Sequence, residues 1–158
     1  MLCVARRLIP LIAVLAVAAC GGSSSTASSS PSASAPAAAT ATVSVAMNAK
    51  LGQILVDGNG RTLYLFEADK GSSSTCYGAC ATYWPPLLTG GAPMAGTGVN
   101  VALLGTTRRT DGTTEVTYGG HPLYYVVTDH NPGDATGQAV NNFGAAWYVV
   151  GTNGSKIT

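Results

Sequence analysis

Charge is scarce in this chain. It has eight Lys or Arg and seven Asp or Glu among 158 residues, for a formal net charge of +1. None of it gathers into a basic stretch, so nucleic-acid binding and adhesion to an anionic surface have no electrostatic footing. Thr, Ser, Asn and Gly must solvate the surface instead. Histidine occurs only as His121 and His130, which excludes a His-rich metal site. No Gly-x-Ser-x-Gly, phosphate-binding loop or dinucleotide fingerprint is present, which removes the enzyme classes built on them. Beyond residue 43 no amphipathic stretch with a 3.6-residue period occurs. The apolar run Leu8–Ala16 is too short to stay in a bilayer as a resident helix.

What is present begins with that run. Arg6 and Arg7 precede it, and Val17-Ala18-Ala19-Cys20-Gly21 follows. A positive start, a short apolar run and small residues before a cysteine read as a lipoprotein signal peptide over 1–19, with Cys20 as the lipidated first residue of the mature chain. Cys3 leaves with the signal. Of four cysteines, one becomes an anchor and one pair remains, Cys76 and Cys80, which suits an oxidising compartment. Residues 20–42 continue as a Ser/Ala/Pro tether with no charge and no large apolar side chain. Such a composition cannot bury enough surface to offset the entropy of ordering. The expectation is a membrane-anchored protein of the bacterial cell envelope, held outside the cytoplasm.

Residues 43–158 then form the folded part. Short runs of Val, Leu, Tyr and Thr alternate with Gly-containing turns, which reads as β-hairpins over 52–66 and 113–127, with a strand before each near 43–47 and 103–108. A last hairpin uses Ala146–Val150 and the chain end. The second hairpin repeats the first. At a shift of 60, Gly60 matches Gly120, Leu63-Tyr64 matches Leu123-Tyr124, Asp69 matches Asp129, and Val56 matches Val116. Trp84 matches Trp147 at a shift of 63. The pattern predicts an all-β domain, a compact antiparallel β-meander sandwich or barrel-like fold in two copies, about 43–100 and 101–158, sharing one core. Leu63 and Leu65 fall on one face of the repeated strand and Tyr64 and Phe66 on the other, so it should be an interior strand covered on both sides. Pro85-Pro86 after Trp84 predict an edge or a loop there.

These residues carry a resemblance. Tyr64-Leu65-Phe66-Glu67-Ala68-Asp69 matches the Tyr-x-aromatic-x-x-Asp motif of a family of bacterial lipoproteins and secreted proteins, also described as a secreted repeat of unknown function. The second copy, Tyr124 to Asp129, departs from it with Val126 at the aromatic position. The segments around Asp57–Tyr64, Cys76–Leu87, Arg109–Gly112 and Pro132–Gln138 are similar as well. The resemblance implies a cell-envelope location, a two-copy β domain and, as a further alternative, a hydrophobic, hydrocarbon-related ligand.

Each candidate residue has a structural reading beside a functional one. Cys76 and Cys80 read first as a loop disulfide. The alternatives are a Cu(I) site completed by His121 or His130, and reversible thiol–disulfide chemistry. Asp69 and Asp129 read as loop-fixing residues that accept hydrogen bonds from their own loops. The alternative is a hydrolase using both carboxylates. The loop Asp129–Asp134 lacks the spacing of a calcium site. Trp84, Trp147, Tyr64 and Tyr124 read as core, with a ligand groove as the alternative. The expected function is a non-enzymatic binding or interaction module for an envelope ligand or protein, with no catalytic residue and no cofactor assigned.

Overall fold

The structure is a computed structural model that describes residues 39–158. The signal peptide 1–19, Cys20 and the tether as far as residue 38 lie outside the described residues. Backbone pairing begins earlier than residue 43. The Ala39 carbonyl accepts from Gly90 N–H, the Ala41 carbonyl accepts from Met94 N–H, and the first strand starts at Thr42. The β domain therefore takes in the last residues assigned to the tether.

Among the described residues nine strands carry the fold. They are β1 (Thr42–Asn48), β2 (Gly52–Asp57), β3 (Tyr64–Phe66), β4 (Met94–Ala95), β5 (Leu104–Arg108), β6 (Thr114–Tyr118), β7 (His121–Pro122), β8 (Val140–Asn142) and β9 (Ala145–Val149). Helix among the described residues is confined to one turn-length piece, α1 (Ala79–Tyr83), and a 3₁₀ turn at Val101–Leu103. The strands form three small sheets, ordered β2-β1-β4, β3-β9-β8 and β5-β6-β7. All neighbours are antiparallel except β1 and β4. The result is sandwich-like and not a closed barrel.

The two copies meet where Tyr64 and Tyr124 exchange backbone bonds, Tyr64 N–H to the Tyr124 carbonyl at 2.9 Å and the reverse at 3.0 Å. Around that pair every bond has a counterpart. Leu63 N–H donates to the Leu55 carbonyl, as Leu123 N–H does to Val116. Val150 N–H donates to Leu63, as Leu87 N–H does to Leu123. Leu55 N–H donates to Val150, as Val116 N–H does to Leu87. So each Trp-led segment leaves its own copy and pairs with the Leu-Tyr strand of the other. The units are exchanged rather than self-contained meanders, because neither copy can satisfy its own strand's backbone groups alone.

The same bonds correct the register of the repeat. Val56 lies opposite Thr62, and Thr117 lies opposite Pro122. Leu55 therefore corresponds to Val116, and Val56 to Thr117, a shift of 61 upstream of the turn. The first turn, closed by the Asp57 carboxylate accepting from Asn59 and Arg61 N–H, is one residue longer than the Gly119-Gly120 turn of the second copy. Both end on a glycine of positive φ, 82° at Gly60 and 83° at Gly120, which side chains rarely adopt.

The repeated strands separate two apolar cores. Tyr64, Phe66, Tyr124 and Val126 join Trp84, Trp147 and both cysteines on one side. Leu63, Leu65 and Leu123 join Leu55, Leu87, Val116 and Val150 on the other. Leu63 through Phe66 are buried throughout, as expected of an interior strand. The second copy is less covered: Tyr125 is half-buried where Leu65 is buried, while Val127 is exposed as its counterpart Glu67 is.

Candidate functional site

The motif residues meet across the copies. Tyr64 Oη donates to Asp129 Oδ2 at 2.6 Å, and Tyr124 Oη donates to Asp69 Oδ2 at 2.6 Å. The tyrosine of each motif thus holds the aspartate of the other. Because β3 and the Leu123–Val126 segment run antiparallel past each other, each strand exit lies beside the other copy's tyrosine. The remaining oxygen of each aspartate holds its own loop. Asp69 Oδ1 accepts from Thr75 N–H and Oγ1, both at 2.7 Å. Asp129 Oδ1 accepts from Thr136 N–H at 2.9 Å and Oγ1 at 2.6 Å. All four carboxylate oxygens are therefore engaged. Burial, followed by the neighbouring Asp129, pushes the Tyr64 hydroxyl far above its ordinary value. Burial and then Glu115 and Asp69 do the same to Tyr124. Both phenols stay protonated and act as donors. Sequence reasoning placed each aspartate on its own loop but missed the crossing bond, since nothing in one strand says which partner lies beside it.

The aromatic residues fill the space beneath. Trp84 and Trp147, equivalent by repeat, stack at 4.0 Å and 3°. Tyr64 meets Trp84 edge-on at 5.3 Å, and Tyr124 meets Trp147 edge-on at 5.2 Å. Phe66 extends the stack on Trp147 at 4.0 Å. Both tryptophans are fully buried. The aromatic position of the motif serves packing, which is why the smaller Val126 can occupy it in the second copy. Edge-on and offset contacts of this kind add about 0.5–1.5 kcal/mol per pair beyond burial.

Asp69 belongs to a larger buried group. The Tyr124 hydroxyl also lies 2.7 Å from Ser74 Oγ. Arg109 Nη1 donates to that Ser74 oxygen and to Glu115 Oε2, each at 2.7 Å, while Nη2 donates to the Cys76 carbonyl at 2.7 Å. Arg109 lies over the Tyr77 ring at 4.3 Å. Glu115 is wholly buried, and its Oε1 has no partner. Burial pushes its carboxyl up to about 8, further than Arg109 pulls it down. Glu115 was not singled out from sequence, and Arg109 entered only as the start of the Arg109–Gly112 segment of the resemblance; the remaining signal was their charge in a chain that has so little.

The remaining candidates lie apart. Cys76 and Cys80 form a disulfide, Cα atoms 5.2 Å apart, that closes the loop leading into α1. Neither sulfur is then a thiolate for Cu(I). His121 lies in β7, beside a depression that it shares with Glu67, Asp69 and Lys156. His130 is exposed in a loop fixed by Asp134, whose Oδ2 accepts from His130 and Asn131 N–H. Among the described residues no three His, Cys, Asp or Glu side chains converge as metal ligands. Gly60 and Gly120, Leu63 and Leu123 serve the turns and the second core. An open groove lined by Met47, Lys50, Pro132 and Gln138 also takes in Thr136, the residue that Asp129 holds.

Comparison with known proteins agrees with this doubled geometry. The model of the family Lipoprotein_15, described as a secreted repeat of unknown function, matches twice, at residues 45–88 and 105–151. No curated protein and no solved structure matches the chain. The two matched stretches cover more than half of the chain and bracket the two exchanged units, so this protein belongs to that secreted-repeat family.

Proposed function

We propose that the protein is a lipid-anchored module of the bacterial cell envelope, non-enzymatic, whose cross-tied repeats form a scaffold presenting loops 69–83 and 129–146 to an envelope ligand or protein. One observation carries the reading: the reciprocal Tyr64–Asp129 and Tyr124–Asp69 bonds. Tyr64, Tyr124, Asp69 and Asp129, whose side chains could do acid–base chemistry, are buried and bonded to one another, with every oxygen of the two carboxylates engaged, so they hold architecture and leave no open valence for a substrate. The family's description as secreted supports a place outside the cytoplasm. Cys20 after Val17-Ala18-Ala19 supplies the anchor.

Two measurements test this. Cells fed labelled palmitate should label the full chain and not Cys20→Ser, and the variant should leave the membrane fraction. Labelling that survives Cys20→Ser would remove the anchor. For the non-enzymatic part, Asp69→Asn should lower the melting temperature. Loss of some activity with an unchanged melting temperature would favour a hydrolase instead. Stoichiometric Cu(I) uptake that disappears on Cys76→Ser would restore metal handling as the role of the pair.

A further inference from the structure

Pseudo-equivalent positions at the two strand exits differ in a way the fold does not require. Glu67 N–H donates to the Ala146 carbonyl, and Val127 N–H donates to the Tyr83 carbonyl. Glu67 and Val127 thus occupy the same place in the two copies, as do Ala146 and Tyr83. At the first exit Glu67 is exposed and paired with Lys156. At the second, Val127, Tyr83 and Phe143 are 43%, 38% and 46% exposed, and the Tyr83 and Phe143 rings lie 6.4 Å apart. The architecture accepts a charge at this position, so the apolar trio is not there to fill a core.

Phe143 is held out by its backbone. It and Gly144 form the two-residue turn between β8 and β9, with φ of 54° and 94°. Turns of this kind favour Asn-Gly, and a bulky side chain at positive φ is strained. Such strain marks a place where function has set the side chain. The loops that carry Tyr83 and Phe143 lack charge: residues 71–107 and 135–155 contain no Asp, Glu, Lys or Arg.

We propose that Tyr83, Val127 and Phe143 seat the domain on the lipid headgroup interface of the membrane that holds Cys20. The proposal rests on the lipid-anchor reading above. Eighteen residues separate Cys20 from Ala39. At full extension they reach about 60 Å, so an anchored domain cannot leave the bilayer's neighbourhood. Tethering converts docking into an intramolecular event, so three side chains can suffice. Phenyl and phenol rings suit the headgroup level, and an uncharged surround carries little desolvation cost there.

The test uses the full lipidated chain in phosphatidylcholine vesicles with plain or brominated acyl chains. Vesicle flotation, with Cys20→Ser as the control, establishes the anchor independently of the patch. Among chains that float, Val127→Trp should lose emission to brominated lipid. Glu67→Trp, its counterpart in the other copy, should keep it, as should the buried Trp84 and Trp147 of the unsubstituted protein. Amide exchange at Asn142–Ala145 in the unsubstituted protein should slow on vesicles relative to detergent. Equal quenching of both probes, or none with unchanged exchange, overturns the docking and leaves the anchor standing. Failure of the wild-type chain to float overturns both. A dimer in detergent that Phe143→Asp dissociates, with Val127→Trp unquenched, assigns the patch to a second copy and overturns the membrane reading.

Discussion

The exit loops of the two copies reach the same anchor points by different means. Both hang from an aspartate that holds a threonine, Asp69 with Thr75 and Asp129 with Thr136. Both are also gripped by the end of the first strand of a hairpin. Arg109, beyond β5, holds the Cys76 carbonyl, and Asn48 of β1 holds the Gly133 carbonyl at 2.9 Å. Between those points they diverge. Loop 69–83 carries the disulfide and is held by a buried Arg109–Glu115 pair. Loop 129–146 carries Gly137 against the Trp84 ring, then the regular β8–β9 hairpin. Ile54 stands where the second copy has Glu115, so the buried Arg109–Glu115 pair is an addition to a position that apolar packing already serves. Duplication fixed the strand pairing and the Tyr–Asp crossings, while each loop could be secured in its own way.

The largest test of that contrast is at the tightest point. A Cβ added at Gly137 would stand 2.6 Å from Trp84 and 2.9 Å from Tyr64. Gly137→Ala should cost about 3 kcal/mol or more, since stacked rings cannot give way. Its counterpart in the first copy is Cys76, where a side chain is native. Denaturant unfolding of Gly137→Ala with an unchanged midpoint would show that the two loops are interchangeable after all.

The crossing bonds come next. Tyr124→Phe should destabilise by about 2–3 kcal/mol, because Asp69 loses a donor in a buried group that Glu115 shares. Tyr64→Phe should cost about 1–2 kcal/mol. Equal losses in urea unfolding would mean that the Arg109–Glu115 pair adds nothing to the first site. Replacing Cys76 and Cys80 together by Ser should remove about 2 kcal/mol, as expected for so short a closed ring. A much larger loss would give the disulfide a role in ordering α1 as well.

Glu115 sharpens the comparison through pH. Its ordinary value of 4.5 rises to about 8 in the fold, so over that window the folded chain keeps a proton that the unfolded chain has released. Stability should therefore fall as pH rises through the window. Glu115→Gln should flatten the dependence of melting temperature on pH, whatever its constant offset. A variant with the wild-type slope would place the titration elsewhere. The smallest effect is expected at the surface. Glu67→Ala breaks only the exposed pair with Lys156, and calorimetry should register no change in melting temperature.

Much of this was legible in the chain. Alternation of Leu and Tyr over 63–66 announced a strand with two apolar faces, and the doubled string announced two copies. Glycines at 60 and 120 marked turns that need positive φ. The turn of Gly58-Asn59-Gly60 is visibly one residue longer than Gly119-Gly120, but the offset it imposes was missed because Val56 and Val116 look alike. Nor was the exchange of the Trp-led segments. Pro85-Pro86 did read as a break, and in the structure that segment pairs mainly through its carbonyls and Leu87 N–H, which needs no donor from either proline.

Sequence by itself determined the class, the duplication, the location of the buried strand and the loop duty of Asp69 and Asp129, because these depend on local periodicity and on each residue's own hydrogen-bonding chemistry. Tertiary structure alone decided that Tyr64 serves Asp129 and Tyr124 serves Asp69, that Trp84 lies on Trp147, and that Glu115 is sealed beside Arg109. Those partners are separated by dozens of residues, except for the last pair, which a single turn separates. Their meeting follows from how two antiparallel copies satisfy each other's backbone, which no single stretch of residues encodes.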